Sequence, residues 1–190
     1  LWNDKRAQPQ VATFRKAHQP DWYLPVTANP PTPAWPGFKL QWMKAHDPDA
    51  YARASTVFMP KDYINFRLCG ERALDWTDAS ISFMMDSATR DWSPSLLETL
   101  GLDRAKLPPI RSPLDVLGSV TDATAAATGL RKGTPVLVGG GDYPVSMIGS
   151  GVVSAGTGSD ITGTSSIITV LAKTPMLHPE VSNVATLDKL

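Results

Sequence analysis

Two short stretches of this sequence combine residue types that could do chemistry. In TPVLVGGGDYPVSMIGSGV, residues 134–152, a β-branched run meets Gly139, Gly140 and Gly141, and Asp142 follows at once. Glycines leave the backbone bare, so a ligand can approach the main chain closely. The carboxyl end of a strand is also where open α/β sheets bind ligands. A carboxylate held there can accept a proton. Spacing alone leaves open, and on frequency favours, a plainer alternative: a tight glycine turn in which Asp142 caps a helix starting near Pro144.

The second stretch is GSDITGTSSIITV, residues 158–170. Gly163, Thr164, Ser165 and Ser166 lie between two strand-like runs, so their amides and hydroxyls could line a hairpin turn that holds phosphate oxygens. An ordinary hairpin turn of small residues is the commoner outcome. It is not a Walker loop, because the spaced glycine and the lysine are missing. A dinucleotide-binding reading of the glycine run fails on Pro144, which stands where the third glycine is needed.

Other reactive residue types read as structural. His18, His46 and His178 lack metal-ligand spacing and are expected on the surface. Cys69, beside Gly70, suits a small core position. Trp35, Trp42, Trp76 and Trp92 are expected to pack under loops. LDWTDAS and RDWSP resemble capping turns, with Asp75, Thr77 and Asp78 before one short helix and Asp91 and Ser93 before another.

The elements that must position these residues change character along the chain. Residues 3–18 suit a short amphipathic helix, and PVTANPPTPAWPG reads as an ordered loop or lid, since five prolines oppose regular structure. Phe38, Trp42 and Met43 mark one helical face, and Asp47-Pro48 restarts a second helix. Pro60 opens a helix on which Tyr63, Phe66 and Arg67 share a side, and Gly70 closes it. SPSLLETLG and TDATAAATG are further helices. DVLGSV, TPVLVG, SDITGTS and SIITVLA carry the Val, Ile and Thr of strands, and YPVSMIGSG suits a helix between two of them. A helix-rich first half followed by strands predicts an α/β fold with a mixed sheet.

Composition narrows the partners. Eighteen basic and eighteen acidic side chains balance to a formal charge of zero, which argues against nucleic acid or a membrane surface and for a small-molecule substrate. There is no internal repeat of the length that builds solenoids. No apolar run of roughly 18 residues occurs, and the opening LWNDKRAQPQ lacks the pattern of a secretory signal. One cysteine excludes an internal disulfide, so a reducing, cytoplasmic setting is expected.

Taken in order, LWNDKR, PGFKLQW, MPKDYINFRLCGERALDWTDAS, DSATRDWSPSLLETLGL, LPPI, VLGSVT, GTPVLVGGGD and TGTSS resemble the FGGY family of carbohydrate kinases, most of all its xylulose kinase branch. The resemblance covers nearly the whole chain. It implies an actin-like, ribonuclease-H-like ATPase fold in which two domains face each other across a cleft. It also implies transfer of the γ-phosphate of ATP, with Mg2+, to a hydroxyl of a ketopentose or related polyol.

On this resemblance Asp142 is the catalytic base, and Gly163, Thr164 and Ser165 form the phosphate turn. Trp2, Asp4 and Arg6 lie along the sugar site. Tyr143 occupies a position, often Asn or Gln in the family, that can touch the sugar. Residues 1–152 correspond to the later part of the sugar-binding N-terminal domain, and 153–190 to the first strands of the nucleotide-binding domain. Related kinases are frequently dimers, so a homodimer of the full-length protein is an expectation. The family's Asp-x-Gly-Thr loop and magnesium carboxylate are not among these 190 residues, so the isolated chain is expected to be inactive. The competing reading is a non-catalytic, sugar-binding α/β module.

Overall fold

The computed structural model describes residues 3–162 and 166–187. Proline and glycine punctuate its first half. Helices α1 (Gln8–Ala17) and α2 (Pro20–Thr27) are followed by α3 (Pro36–His46), α4 (Pro48–Arg53) and α5 (Pro60–Cys69). Prolines open four of these five, where a missing N–H costs nothing. Asp47 caps α4 by accepting the Ala50 amide at 3.0 Å, and Gly70, at φ +80°, lets α5 end in the left-handed conformation.

The proline-rich segment departs from the expected loop. Its first residues, Pro25 to Thr27, complete α2. Pro25 withholds only one amide from a short helix, whereas Tyr23, Leu24 and Thr27 are all buried by it. Packing therefore outweighs the local penalty. The chain then passes without regular structure to α3.

After α5 come β1 (Leu74–Asp75), α6 (Trp76–Ser80), β2 (Met85–Asp86), β3 (Asp91–Trp92) and α7 (Pro94–Leu100). They are followed by β4 (Ile110–Arg111), β5 (Val116–Ser119), α8 (Asp122–Thr128), β6 (Pro135–Leu137), α9 (Asp142–Gly149), β7 (Gly158–Thr162) and β8 (Ser166–Val170). The expected mixed sheet is instead divided. Among the described residues β1 pairs with β4 in parallel, while β2–β3, β5–β6 and β7–β8 are separate antiparallel ladders. These strands are two to five residues long.

Among the described residues two cores hold the chain. The larger one centres on Phe14, Phe38 and Phe83, whose rings meet at centroid distances of 4.9–5.5 Å. It draws in Leu96, Leu97 and Leu100 from α7. The smaller one joins α5 to the β5–β6 ladder through Cys69, Ala73, Leu117, Val120, Val136 and Val138. Cys69 is thus a core residue, as its setting predicts. This second core sets β6 against α5 and so determines where the glycine run begins.

Candidate active site

Strand β6 ends as it enters the second core, and Val138 is fully buried. Two α5 side chains grip its carbonyl: Asn65 Nδ2 donates at 2.8 Å and Lys61 Nζ at 3.2 Å. Three glycines follow. Gly139 adopts φ +73°, which an L-residue rarely tolerates, and so turns the chain out of the strand. Leu187 lies against Gly140, and Gly141 is buried.

Asp142 is the first residue of α9 and is exposed. It is not the cap foreseen as the plainer alternative. The capping position is Gly141, which offers no side chain, and the helix begins two residues before Pro144. The Asp142 carboxylate accepts the amide of Tyr143 at 2.7 Å and sits in the first turn, where the helix dipole favours negative charge. The Tyr143 hydroxyl is hydrogen-bonded to Thr169 of β8. That contact draws the residue after Asp142 toward the hairpin that carries the second candidate stretch. Gly163, Thr164 and Ser165 themselves lie outside the described residues, as does Trp2.

Asp4 and Arg6 form their own patch. Arg6 donates from Nε to both Asp4 carboxylate oxygens at 3.0 Å, and its guanidinium lies 4.2 Å from the centre of the Trp42 ring. Its hydrogen bonds hold the Asp4 carboxyl far below the usual carboxylate range.

Behind the glycine run lies a cluster that reading the sequence for caps did not reveal. Asp75 does cap α6, accepting the Thr77 amide at 2.7 Å and the Asp78 amide at 3.2 Å. Its Oδ1 also accepts the Thr77 hydroxyl. Thr77 and Asp78, however, face the glycine run from within the helix. Thr77 Oγ1 accepts the Gly141 amide at 2.8 Å, and a Cβ on Gly141 would lie 2.7 Å from Asp78 Oδ1. Carboxylate oxygens of Asp62, Asp75 and Asp78 approach within 4.8 Å of one another. The only signal in the sequence was the recurrence of acids in KDY and LDWTDAS, and nothing local ties those two segments together.

Lys61 sits among these acids, bonded to Asp62 and 3.0 Å from Asp75 Oδ2. Burial opposes its charge, but the two carboxylates outweigh that cost and raise its pKa. Asp62 shifts in the direction that disfavours the ion pair. Burial pushes it up to about 6, against the pull of Lys61. One ammonium shared between two carboxylates satisfies neither fully, and Asp62 Oδ2 has no hydrogen-bond partner among the described residues. Asp78 is pushed up to about 7, by burial first and then by the charges of Asp75, Asp62 and Asp142, against the pull of Lys61. A divalent cation here would have to displace the Lys61 ammonium, so this cluster does not fit a Mg2+ site.

The sequence and the fold both have counterparts among known proteins. Residues 1–149 match the model of the FGGY family of carbohydrate kinases, N-terminal domain. An autoinducer-2 kinase of Enterobacter sp. (strain 638) is 38% identical over 171 residues, covering 85% of the chain and 31% of that protein. The xylulose kinase of Escherichia coli (strain K12) is 32% identical over 180 residues, covering 95% of the chain and 37% of that protein. The crystal structure of xylulose kinase from Rhodospirillum rubrum superposes with a TM-score of 0.90 at 30% identity, covering 97% of the chain and 38% of that structure. The chain thus spans about a third of the length of the curated relatives it matches. The α/β, actin-like expectation for the fold holds.

Proposed function

Since the chain belongs to the FGGY family of carbohydrate kinases, we propose that it supplies the acceptor side of an ATP-dependent kinase. The acceptor is a hydroxyl of a ketopentose or related polyol, and Asp142 is the catalytic base. The observation that carries this reading is the setting of Asp142: an exposed carboxylate that follows a short strand and the buried Val138, on a glycine turn gripped by neighbouring helices.

Phosphoryl transfer asks the protein mainly to position a hydroxyl in line and to balance charge. Bound ATP supplies the phosphoryl group. Asp142 takes the proton from the acceptor hydroxyl as that oxygen attacks, a contribution of about 10²–10⁴-fold in rate. Tyr143 limits the acceptor's approach on one side, its own hydroxyl being held by Thr169. Asp4, Arg6 and Trp2 lie along the sugar. The phosphates fall to Gly163, Thr164 and Ser165. In support, the flanking Thr162 and Ser166 pair across an antiparallel ladder, the setting that a tight phosphate-binding turn requires. Magnesium finds no fitting site in the acid cluster, where Lys61 already occupies the space between the carboxylates.

We place the domain boundary at residue 152, with 1–152 in the sugar-binding domain and 153–190 opening the nucleotide-binding one. The isolated chain is then inactive. A second acceptor is favoured by the 38% identity to an autoinducer-2 kinase, namely the compound that enzyme is named for. The test is an ADP-release assay on the full-length protein with xylulose, ribulose, erythritol, glycerol, gluconate and autoinducer-2, each with ATP and Mg2+. We expect turnover of one of these, abolished by Asp142→Ala. No turnover of any acceptor, or full activity of Asp142→Ala, defeats the proposal and favours a sugar-binding module.

A further inference from the structure

The glycine run that carries Asp142 is the least constrained kind of backbone, because three consecutive glycines lose more freedom on ordering than any other sequence. Its two ends are nevertheless tied to different helices. At the entry, the Val138 carbonyl is held by Asn65 and Lys61 of α5. At the exit, the Gly141 amide is held by Thr77 of α6 at 2.8 Å. Thr77 is fully buried, and so is the Asp75 that receives its hydroxyl.

The direction of these bonds matters. A hydroxyl has one proton to give. Asp75 Oδ1 accepts that proton, so the Thr77 oxygen turns its lone pairs toward the Gly141 amide. Asp75 is fixed in turn by the two α6 amides on Oδ1 and by Lys61 against Oδ2. Lys61 also reaches Val138, so one lysine links the entry of the run to the carboxylate that orients Thr77 at its exit. The chain Lys61–Asp75–Thr77–Gly141 closes a ring around the glycines.

We propose that Thr77 is a positioning residue for Asp142, its hydroxyl oriented by Asp75 so that it holds the Gly141 amide and fixes the turn from which the aspartate projects. The proposal rests on the reading of Asp142 as base. Thr77 touches no reacting atom. It acts by keeping the carboxylate within reach of the acceptor hydroxyl, where a displacement of about 1 Å costs up to about 10²-fold in rate.

The experiment uses the full-length protein, with the acceptor that is turned over best, and compares Thr77→Val, Thr77→Ser and Asp142→Ala. Thr77→Val keeps the shape but removes the hydroxyl. It is expected to lower kcat about 10- to 100-fold while KM for acceptor and for ATP stays within about threefold, the mark of a loss confined to the transition state. Thr77→Ser, smaller but still a hydroxyl, is expected to restore kcat to within about threefold of the parent. A structural role alone predicts the reverse order, because valine fills the site better than serine. If Thr77→Val does not fold, Thr77→Ala is compared with Thr77→Ser in its place. Wild-type kcat in Thr77→Val beside an inactive Asp142→Ala overturns the positioning role alone, as does equal impairment of the valine and serine variants. Full activity of Asp142→Ala overturns the underlying reading instead.

Discussion

Gly141→Ala isolates the steric part of this arrangement. The residue has φ −57° and ψ 152°, a conformation open to any L-residue, so the substitution strains no dihedral. On the unfolded chain alone it is worth about 0.4–1 kcal/mol in favour of folding. The added methyl, however, lies 2.7 Å from Asp78 Oδ1, and ordinary contact begins at 3.4 Å, so one partner must retreat by about 0.7 Å. Retreat of Asp78 is opposed because the residue is partly buried and its carboxylate lies among those of Asp62 and Asp75. Overpacking of this kind costs about 1–3 kcal/mol, which exceeds the backbone gain. The turn absorbs part of the shift and moves Asp142 by a fraction of an ångström, and kcat falls about tenfold or more. Thermal unfolding and steady-state kinetics of the full-length protein measure both effects. Asp78→Ala removes the obstructing oxygen, so in the double variant Gly141→Ala/Asp78→Ala the alanine at 141 should no longer be harmful, giving a coupling energy of about 1 kcal/mol or more. Wild-type stability and turnover in Gly141→Ala, or strictly additive effects in the double variant, would refute the reasoning.

Other outcomes follow from the same contacts. Asp62 and Asp78 are raised to about 6 and about 7 from 3.8, so the folded protein keeps protons that the unfolded chain has released. Their contribution to stability is therefore lost as pH rises from about 4 to 7. Because Asp78 is partly exposed, its share is discounted to on the order of 2 kcal/mol at pH 8. Asp78→Asn should flatten the upper part of a melting-temperature profile between pH 4 and 8, and an unchanged slope would contradict the assignment. Phe38→Ala empties a fully buried position that touches both Phe14 and Phe83. It should cost about 3–5 kcal/mol, seen as a lower urea midpoint. Asn29→Ala breaks a reciprocal pair in which Asn29 accepts the Asn183 amide at 2.8 Å and donates to the Asn183 carbonyl at 2.9 Å. With Asn29 buried, a loss of about 1–3 kcal/mol is expected, together with earlier proteolysis of residues 176–187.

Much of this architecture is written in local signals. Pro36, Pro48, Pro60 and Pro94 each open a helix, and Gly70, Gly101 and Gly129 each end one at positive φ. Such choices depend on a few neighbouring residues, so they survive without knowledge of the rest of the chain. Each of the four runs read from Val, Ile and Thr likewise holds a strand among the described residues. Pro25 shows the limit. Its local preference is against helix, yet the burial of Tyr23 and Leu24 carries α2 through it.

By itself the sequence determined the starts and ends of several helices, the family, and the identity of Asp142 as the carboxylate following a strand and three glycines. Only the tertiary structure decided what surrounds that residue. Thr77 and Gly141 are 64 positions apart, and Asn65 and Val138 are 73. Read locally, Thr77 and Asp78 are parts of a helix cap. Capping is a property of three or four consecutive residues, whereas the grip on the glycine run exists only after the second core has set β6 against α5. The spacing of residue types along the chain encodes the first and carries no information about the second.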